Sequence, residues 1–175
     1  MELTKTKELQ ICPIKRLYLE LDENLPDRKT IAILLSMEDV RHPELKLLDA
    51  FHKVGVFDTE MKYKAFSFDY REGVAVKEFL EKQNDFGRIY ICCDSGESRS
   101  TAMAAAILRY YGKSDKVIWT NPRYHPNLLV YEEQLRAFGK KVSKLRLRYL
   151  KYINNQALKK AINRKDIVKT IRKCR

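Results

Sequence analysis

The sequence predicts an α/β fold: a mostly parallel central sheet flanked by helices, followed by a basic helical extension at the C-terminus. Three observations lead there. Short apolar runs with β character alternate with longer stretches of helical periodicity that end at a glycine, the pattern of a sheet with helices on its faces. One such run, Arg88–Cys93, ends in a cysteine, passes through a glycine-containing turn and opens into a helix-forming stretch. Finally, the positive charge is crowded into the last part of the chain.

Taken in order, residues 9–13 (Leu-Gln-Ile-Cys-Pro) read as an edge strand that Pro13 terminates, since proline cannot donate to a ladder. Residues 17–25 fit helix or strand. Residues 30–36 form an apolar β-like run, and the periodic stretch 44–54 before Gly55 reads as a helix with its stop. Residues 63–68, an aromatic-rich run with β character, read as a strand. A helix over 73–84 before Gly87, the Arg88–Cys93 strand, and a helix over 99–111 before Gly112 follow. A shorter strand is expected at 116–120 and a helix over 126–138, closed by Gly139. Ala102, Ala104, Ala105 and Ala106 would let the helix after the cysteine pack closely under the sheet.

With 175 residues, 45% of them hydrophobic, the chain is expected to hold one globular domain. Its organisation is a catalytic body over residues 1–139 and a basic extension over 140–175, packed on the same domain. No apolar run approaches the length of a membrane span. The charged first eight residues lack an apolar signal core, so a cytoplasmic location is expected. Cys12, Cys92, Cys93 and Cys174 form neither a disulfide framework nor a zinc spacing, which fits a reducing compartment. No metal or organic cofactor is expected.

Residues 140–175 carry 14 Lys and Arg against one acid, Asp166, whereas residues 1–139 carry 21 basic and 22 acidic residues; the net charge of +12 therefore belongs to the extension. Val142, Leu145, Tyr149 and Tyr152 recur at helical spacing, as do Leu147, Leu150, Ile153, Ala157 and Ala161, with Lys and Arg between them. Three uses compete for such helices: covering the body with an apolar stripe, lying on an anionic membrane surface, or contacting nucleic-acid phosphates. The last residues, 163–175, are expected to fray.

The chemistry concentrates in Cys93-Asp94-Ser95-Gly96-Glu97-Ser98-Arg99-Ser100. The strand delivers Cys93 to the carboxyl end of the sheet, where open α/β sheets bind ligands. Gly96 lets the turn curl so that successive N–H groups can converge on an anion. The helix beginning near Arg99 adds its positive end, and the guanidinium supplies a planar fork for two phosphate oxygens. The same field favours an anionic sulfur nucleophile.

This run, continued by Thr-Ala-Met-Ala-Ala-Ala-Ile, resembles the signature loop of the cysteine-dependent protein tyrosine and dual-specificity phosphatases, in particular a compact bacterial and phage branch. A second matching stretch, residues 121–131 (Asn-Pro-Arg-Tyr-His-Pro-Asn-Leu-Leu-Val-Tyr), lies where that branch has Pro-Asn before its last core helix. The resemblance covers about residues 30 to 138. It implies a protein tyrosine phosphatase-like fold and hydrolysis of phosphomonoesters through a cysteinyl-phosphate intermediate. Phosphotyrosine or dual-specificity protein substrates are the first expectation. It assigns Cys93 as nucleophile, Arg99 as phosphate clamp, Ser100 as the hydroxyl that assists departure of the sulfur, and residues Asp94, Ser95, Gly96, Glu97 and Ser98 as the phosphate-binding loop. It also implies a general acid on an upstream loop. Asp69, 24 residues before Cys93 and following the 63–68 run, is the first choice, with Glu72 and Asp58 in reserve.

Two departures from the family pattern stand out. Cys92 replaces the usual His before the nucleophile, which is expected to weaken activation of Cys93; Cys92 trapping an oxidised Cys93 is a minor alternative. Asp94 and Glu97 add negative charge to the loop, which disfavours inositol polyphosphates and phosphoinositides relative to a single phosphoester. His125 belongs to the second stretch, while His42 and His52 match no role. Two other readings stay open: an RNA 5′-phosphatase of the same chemistry with the basic tail as its RNA-binding part, and a catalytically inactive phosphate-binding module. Arsenate reduction is an outlier without a well-placed resolving cysteine.

Overall fold

The strands β1 (Glu8–Pro13), β2 (Thr30–Leu35), β3 (Ala50–Val54) and β4 (Arg88–Cys93) form one sheet in the order β1-β4-β2-β3, and every pairing is parallel. The architecture is that of a computed structural model that describes residues 1–4, 6–23 and 26–173, with side chains through residue 163. β2 is buried at every position and β4 at all but its first, as strands covered on both faces must be.

Strand alternation divides the interior into two layers. Ile31, Ile33 and Leu35 of β2 and Ile89, Ile91 and Cys93 of β4 face the larger core. There they meet α2 (Tyr70–Lys82), α3 (Arg99–Tyr110) and α5 (Leu128–Ala137), with the one-turn α4 (Lys116–Trp119) at the edge. Ala32, Leu34, Tyr90 and Cys92 face the opposite, smaller layer, which α1 (Ile14–Glu23) and the segment around Leu45 and Leu48 cover. All of α3 through Leu108 is buried, and its four alanines are inaccessible to solvent. Small side chains let this helix fit between the sheet and α5. On the outer side, Gly73 of α2 meets α5 so closely that an added Cβ would stand 2.9 Å from the Ala137 Cβ.

The open assignment at 17–25 resolves as helix α1, with Leu25 outside the described residues. Three expectations are corrected. The stretch 44–54 is not a helix. Pro43 starts a 3-10 turn that ends at Leu47, and Ala50–Val54 then joins β2. The turn and the strand together mimic helical periodicity, and Gly55 follows a strand. Residues 63–68 form no strand, because the sheet ends at β3; Tyr63 and Phe66 instead adopt left-handed backbone at φ 63 and 56. Residues 116–119 are helical: Asp115 at the start of the turn accepts from the indole of Trp119, drawing one helical turn together.

The basic extension forms α6 (Lys144–Lys173), so the backbone is helical where fraying was expected. Leu150 is buried, with Leu147 and Ile153 partly so, against the larger core. Asn154 Nδ2 donates to the carbonyls of Trp119 and Tyr124 at 3.3 and 2.9 Å. The other stripe, Leu145, Tyr149 and Tyr152, is exposed. Among the described residues, no helix is long and apolar enough to cross a membrane.

Candidate active site

β4 ends at Cys93 and α3 begins at Arg99, so residues 94–98 must reverse direction within five positions. Gly96 makes the reversal with φ +72, a conformation that costs L-residues energy. It also lies against the end of β1: a Cβ there would stand 2.6 Å from the Pro13 nitrogen and 2.8 Å from the Cys12 carbonyl carbon. Only glycine seats the loop on the edge strand this way.

Within the loop, Cys93 Sγ lies 3.1 Å from Ser100 Oγ, and both residues are fully buried. Arg99 is 6% exposed. Its Nη1 donates to the Val56 carbonyl at 2.7 Å and its Nη2 to Asp94 Oδ2 at 2.5 Å. Its Nε is buried without a partner among the described residues. A buried N–H without an acceptor is costly, so an acceptor supplied beside Arg99 would be stabilised. Asp94 also accepts from Ser36 Oγ at 2.6 Å. Burial alone would raise the Asp94 carboxyl, but the bonds from Ser36 and Arg99 prevail and hold it below the ordinary aspartate value. The acid at position 94 thus faces the guanidinium and orients it. Ser98 occupies the cap position of α3 without capping it. Its hydroxyl points elsewhere.

Its target is Asp58. Ser98 Oγ donates to Asp58 Oδ1 at 2.8 Å, and Asn127 Nδ2 donates to the same oxygen at 2.8 Å. Asn127 also caps α5 through its own Oδ1, accepting from Leu129 and Val130 N–H. The second matching stretch therefore serves a structural purpose: it braces the loop from behind. The His125 N–H bonds the Glu97 carbonyl at 2.8 Å, and the Thr101 hydroxyl bonds the Glu97 and Ser98 carbonyls at 2.7 and 2.8 Å. The segment carrying Asp58 is tied to the loop twice, at Val56 through Arg99 and at Asp58 through Ser98.

Asp69 is placed differently. It is the N-cap of α2 in a reciprocal capping box with Glu72, accepting from the N–H groups of Arg71 and Glu72 and pairing with the Arg71 guanidinium at 3.0 Å. The bond with Glu72, reinforced by those from Arg71, pulls its carboxyl down to about 2. This carboxylate is committed to capping α2. Glu72 is committed to the same box. Of the three carboxylates considered from sequence, the structure brings Asp58 to the loop. The signal for it was Gly55-Val56-Phe57-Asp58 directly after a strand, obscured by reading 44–54 as helix.

Cys92 faces away from Cys93, into the smaller layer, where its Sγ lies 3.4 Å from Cys12 Sγ across paired strands. Burial, and then the neighbouring Cys12 thiol, push the Cys92 thiol well above its ordinary value. Strand alternation thus removes Cys92 from the loop and excludes it as a direct trap for an oxidised Cys93. Cys174 lies outside the described residues. His42 stacks on Tyr18 and His52 on Phe79.

No protein-family model and no curated protein sequence matches this chain. Solved structures do resemble it. They include DUSP15 (18% identity over 87% of this chain and 94% of that one, TM-score 0.49) and Tk-PTP in its active form (16% over 88% and 95%, TM-score 0.42). The core catalytic domain of the PP-IP phosphatase SIW14 from S. cerevisiae is another (15% over 90% and 86%, TM-score 0.43). These neighbours belong to the dual-specificity and protein tyrosine phosphatase superfamily, the one that the loop resembles. At such values the likeness is one of outline, and the chemistry rests on the site itself.

Proposed function

We propose that this chain is a phosphomonoester hydrolase working through a cysteinyl-phosphate intermediate, with phosphotyrosine or dual-specificity protein substrates as its first class. The observation that carries this reading is the pairing of Cys93 Sγ, 3.1 Å from the Ser100 hydroxyl, with a buried Arg99 whose Nε lacks an acceptor. A nucleophile, an anchored cation and an uncapped helix end share one short loop.

In the first step Cys93 Sγ attacks phosphorus as the bond to the ester oxygen breaks. Arg99 and the loop N–H groups take up the charge on the non-bridging oxygens. Asp58 delivers a proton to the departing oxygen. In the second step the Asp58 carboxylate accepts a proton from water, whose oxygen attacks phosphorus. The S–P bond breaks, and Ser100 donates a hydrogen bond to the leaving sulfur. Phosphate leaves, and Asp58, already carrying the proton taken from water, is ready for the next turnover. In this scheme no metal takes part.

Turnover of an aryl phosphate in the presence of a chelator, compared with Cys93→Ser and Arg99→Lys, tests the reading. Activity abolished by Cys93→Ser supports it. A wild type that is inactive yet binds vanadate in an Arg99-dependent way overturns it in favour of a phosphate-binding module, for which the replacement of the usual His by Cys92 offers a reason.

A further inference from the structure

At the far end of α3 from the catalytic loop lies a concavity of about 500 Å³ that the phosphatase reading does not use. Four cationic residues line it: Arg109 from the end of α3, Lys113 and Lys116 from the turn into α4, and Arg146 from α6. Its floor holds the buried Asp115, whose Oδ2 accepts from Trp119 Nε1 at 3.0 Å and Tyr131 OH at 2.6 Å. The other oxygen of Asp115 stands 4.0 Å from Arg109 and 3.9 Å from Arg146, near enough to orient both guanidinium groups without a close bond. By formal charge, four cations against one carboxylate leave an excess of three. The rim carries Tyr149, half exposed, with the Arg146 guanidinium 5.5 Å from its ring centroid. Tyr152, 61% exposed, follows on the same helix.

We infer that this pocket is a second binding site, for the phosphodiester backbone of single-stranded nucleic acid, with Tyr149 as the face on which a base stacks. The inference is independent of the catalytic reading. Four cations against one carboxylate favour a polyanion, and the strongly basic α6 forms one wall of the concavity through Arg146, Tyr149, Leu150 and Ile153. Convergence of the cations into a concavity suits a strand that can enter it, whereas a membrane surface cannot. The exposed aromatic among the cations adds the stacking component that single-stranded binders combine with a basic groove, and it needs unpaired bases. An acidic peptide would use the charges but leave the aromatic face unused.

The test is the anisotropy of a labelled twelve-nucleotide oligouridylate without a 5′-phosphate, bound to the Cys93→Ser protein over a range of salt concentrations. Lacking a phosphomonoester, the probe does not engage the catalytic loop, so failure here and failure of the hydrolase reading are separable. Lys113→Gln/Lys116→Gln is expected to weaken binding about tenfold or more and to flatten the log Kd against log salt slope by about 1.4, at about 0.7 for each phosphate that is no longer neutralised. Tyr149→Ala is expected to weaken binding about tenfold with little change in slope, as removal of one stacked base does. Thermal unfolding midpoints within about 2 °C of the parent protein verify that these exposed substitutions leave the fold intact. Binding within twofold of the parent protein for both variants overturns the inference. So does equal or tighter binding of phosphatidylserine vesicles or polyglutamate that Tyr149→Ala leaves unchanged, since the partner then belongs to another class.

Discussion

Replacing Asp58 by Asn separates the proton from everything else the carboxylate does. Ser98 Oγ and Asn127 Nδ2 both bond Oδ1 at 2.8 Å, which among the described residues leaves Oδ2 without a hydrogen-bond partner. An asparagine of the same shape keeps an acceptor oxygen for both anchors and places an amide at the other position, so the segment stays docked and only the transferable proton is lost. A positioned acid contributes about 10² to 10⁴ in rate where the leaving group needs a proton. Turnover of phenyl phosphate is therefore expected to fall about 10²- to 10³-fold, or about 2.7 to 4 kcal/mol of barrier at 1.36 kcal/mol per tenfold. For p-nitrophenyl phosphate, whose leaving group departs as a stable anion, the loss should be about tenfold or less. The assay is steady-state kcat on both esters from pH 5 to 8. Asp69→Asn should leave the ratio of the two rates unchanged. Phenyl phosphate turnover retained within threefold by Asp58→Asn would refute this role for Asp58, as would a leaving-group-dependent loss in Asp69→Asn.

Asp69→Ala removes the α2 cap and should lower stability by about 1 kcal/mol, seen as a drop in Tm of about 2 to 4 °C near pH 7. Because folding pulls this carboxyl from 3.8 to about 2, its contribution is present above the unfolded value and lost as pH falls towards 2. The Tm difference between wild type and variant should accordingly shrink from pH 4 to pH 2, and by a modest amount, since the side chain is 41% exposed. Gly96→Ala must place a Cβ against the Pro13 and Cys12 backbone at φ +72. Destabilisation of about 1 to 3 kcal/mol in urea titration and loss of aryl phosphate turnover are expected, and a fully active variant would contradict the seating of the loop on β1. Cys92, held protonated by burial, should resist iodoacetamide at pH 8 in the native protein and react once urea unfolds it, as peptide mapping of the adducts would show.

The loop from Cys93 to Ser100 was legible because its parts are contiguous: a strand, a turn glycine, an arginine and a helix occur in the order in which they act. The large helices were legible for the same local reason, each ending near Gly87, Gly112 or Gly139. What depended on distant partners was not. Leu47, Phe51 and Val54 repeat like a helix, and only the pairing of Ala50–Val54 with β2 makes the second half a strand. Losing β3 in turn left Asp58 a reserve choice, since its contacts with Ser98 and Asn127 span 40 and 69 residues. Asp69 drew attention as an acid near a supposed strand end, yet Asp-Tyr-Arg-Glu is also a capping box, and that local use prevails. The opposed faces of Cys92 and Cys93 follow from the period of a strand and needed no structure.

The position of β4 between β1 and β2 has a consequence for how the chain is made. β1 finds its only strand partner among the described residues 80 positions later, at Arg88, and β2 waits 58 positions for the same strand. During synthesis the first three strands emerge before the one that joins them, and such non-local pairing is slow to nucleate. Until it arrives, two unpaired edges remain open to other chains. The last strand to be inserted is also the one that ends in Cys93. Closure of the sheet and presentation of the Cys93 thiol are thus a single event, and a chain still searching for its fold has no assembled loop between Cys93 and Arg99.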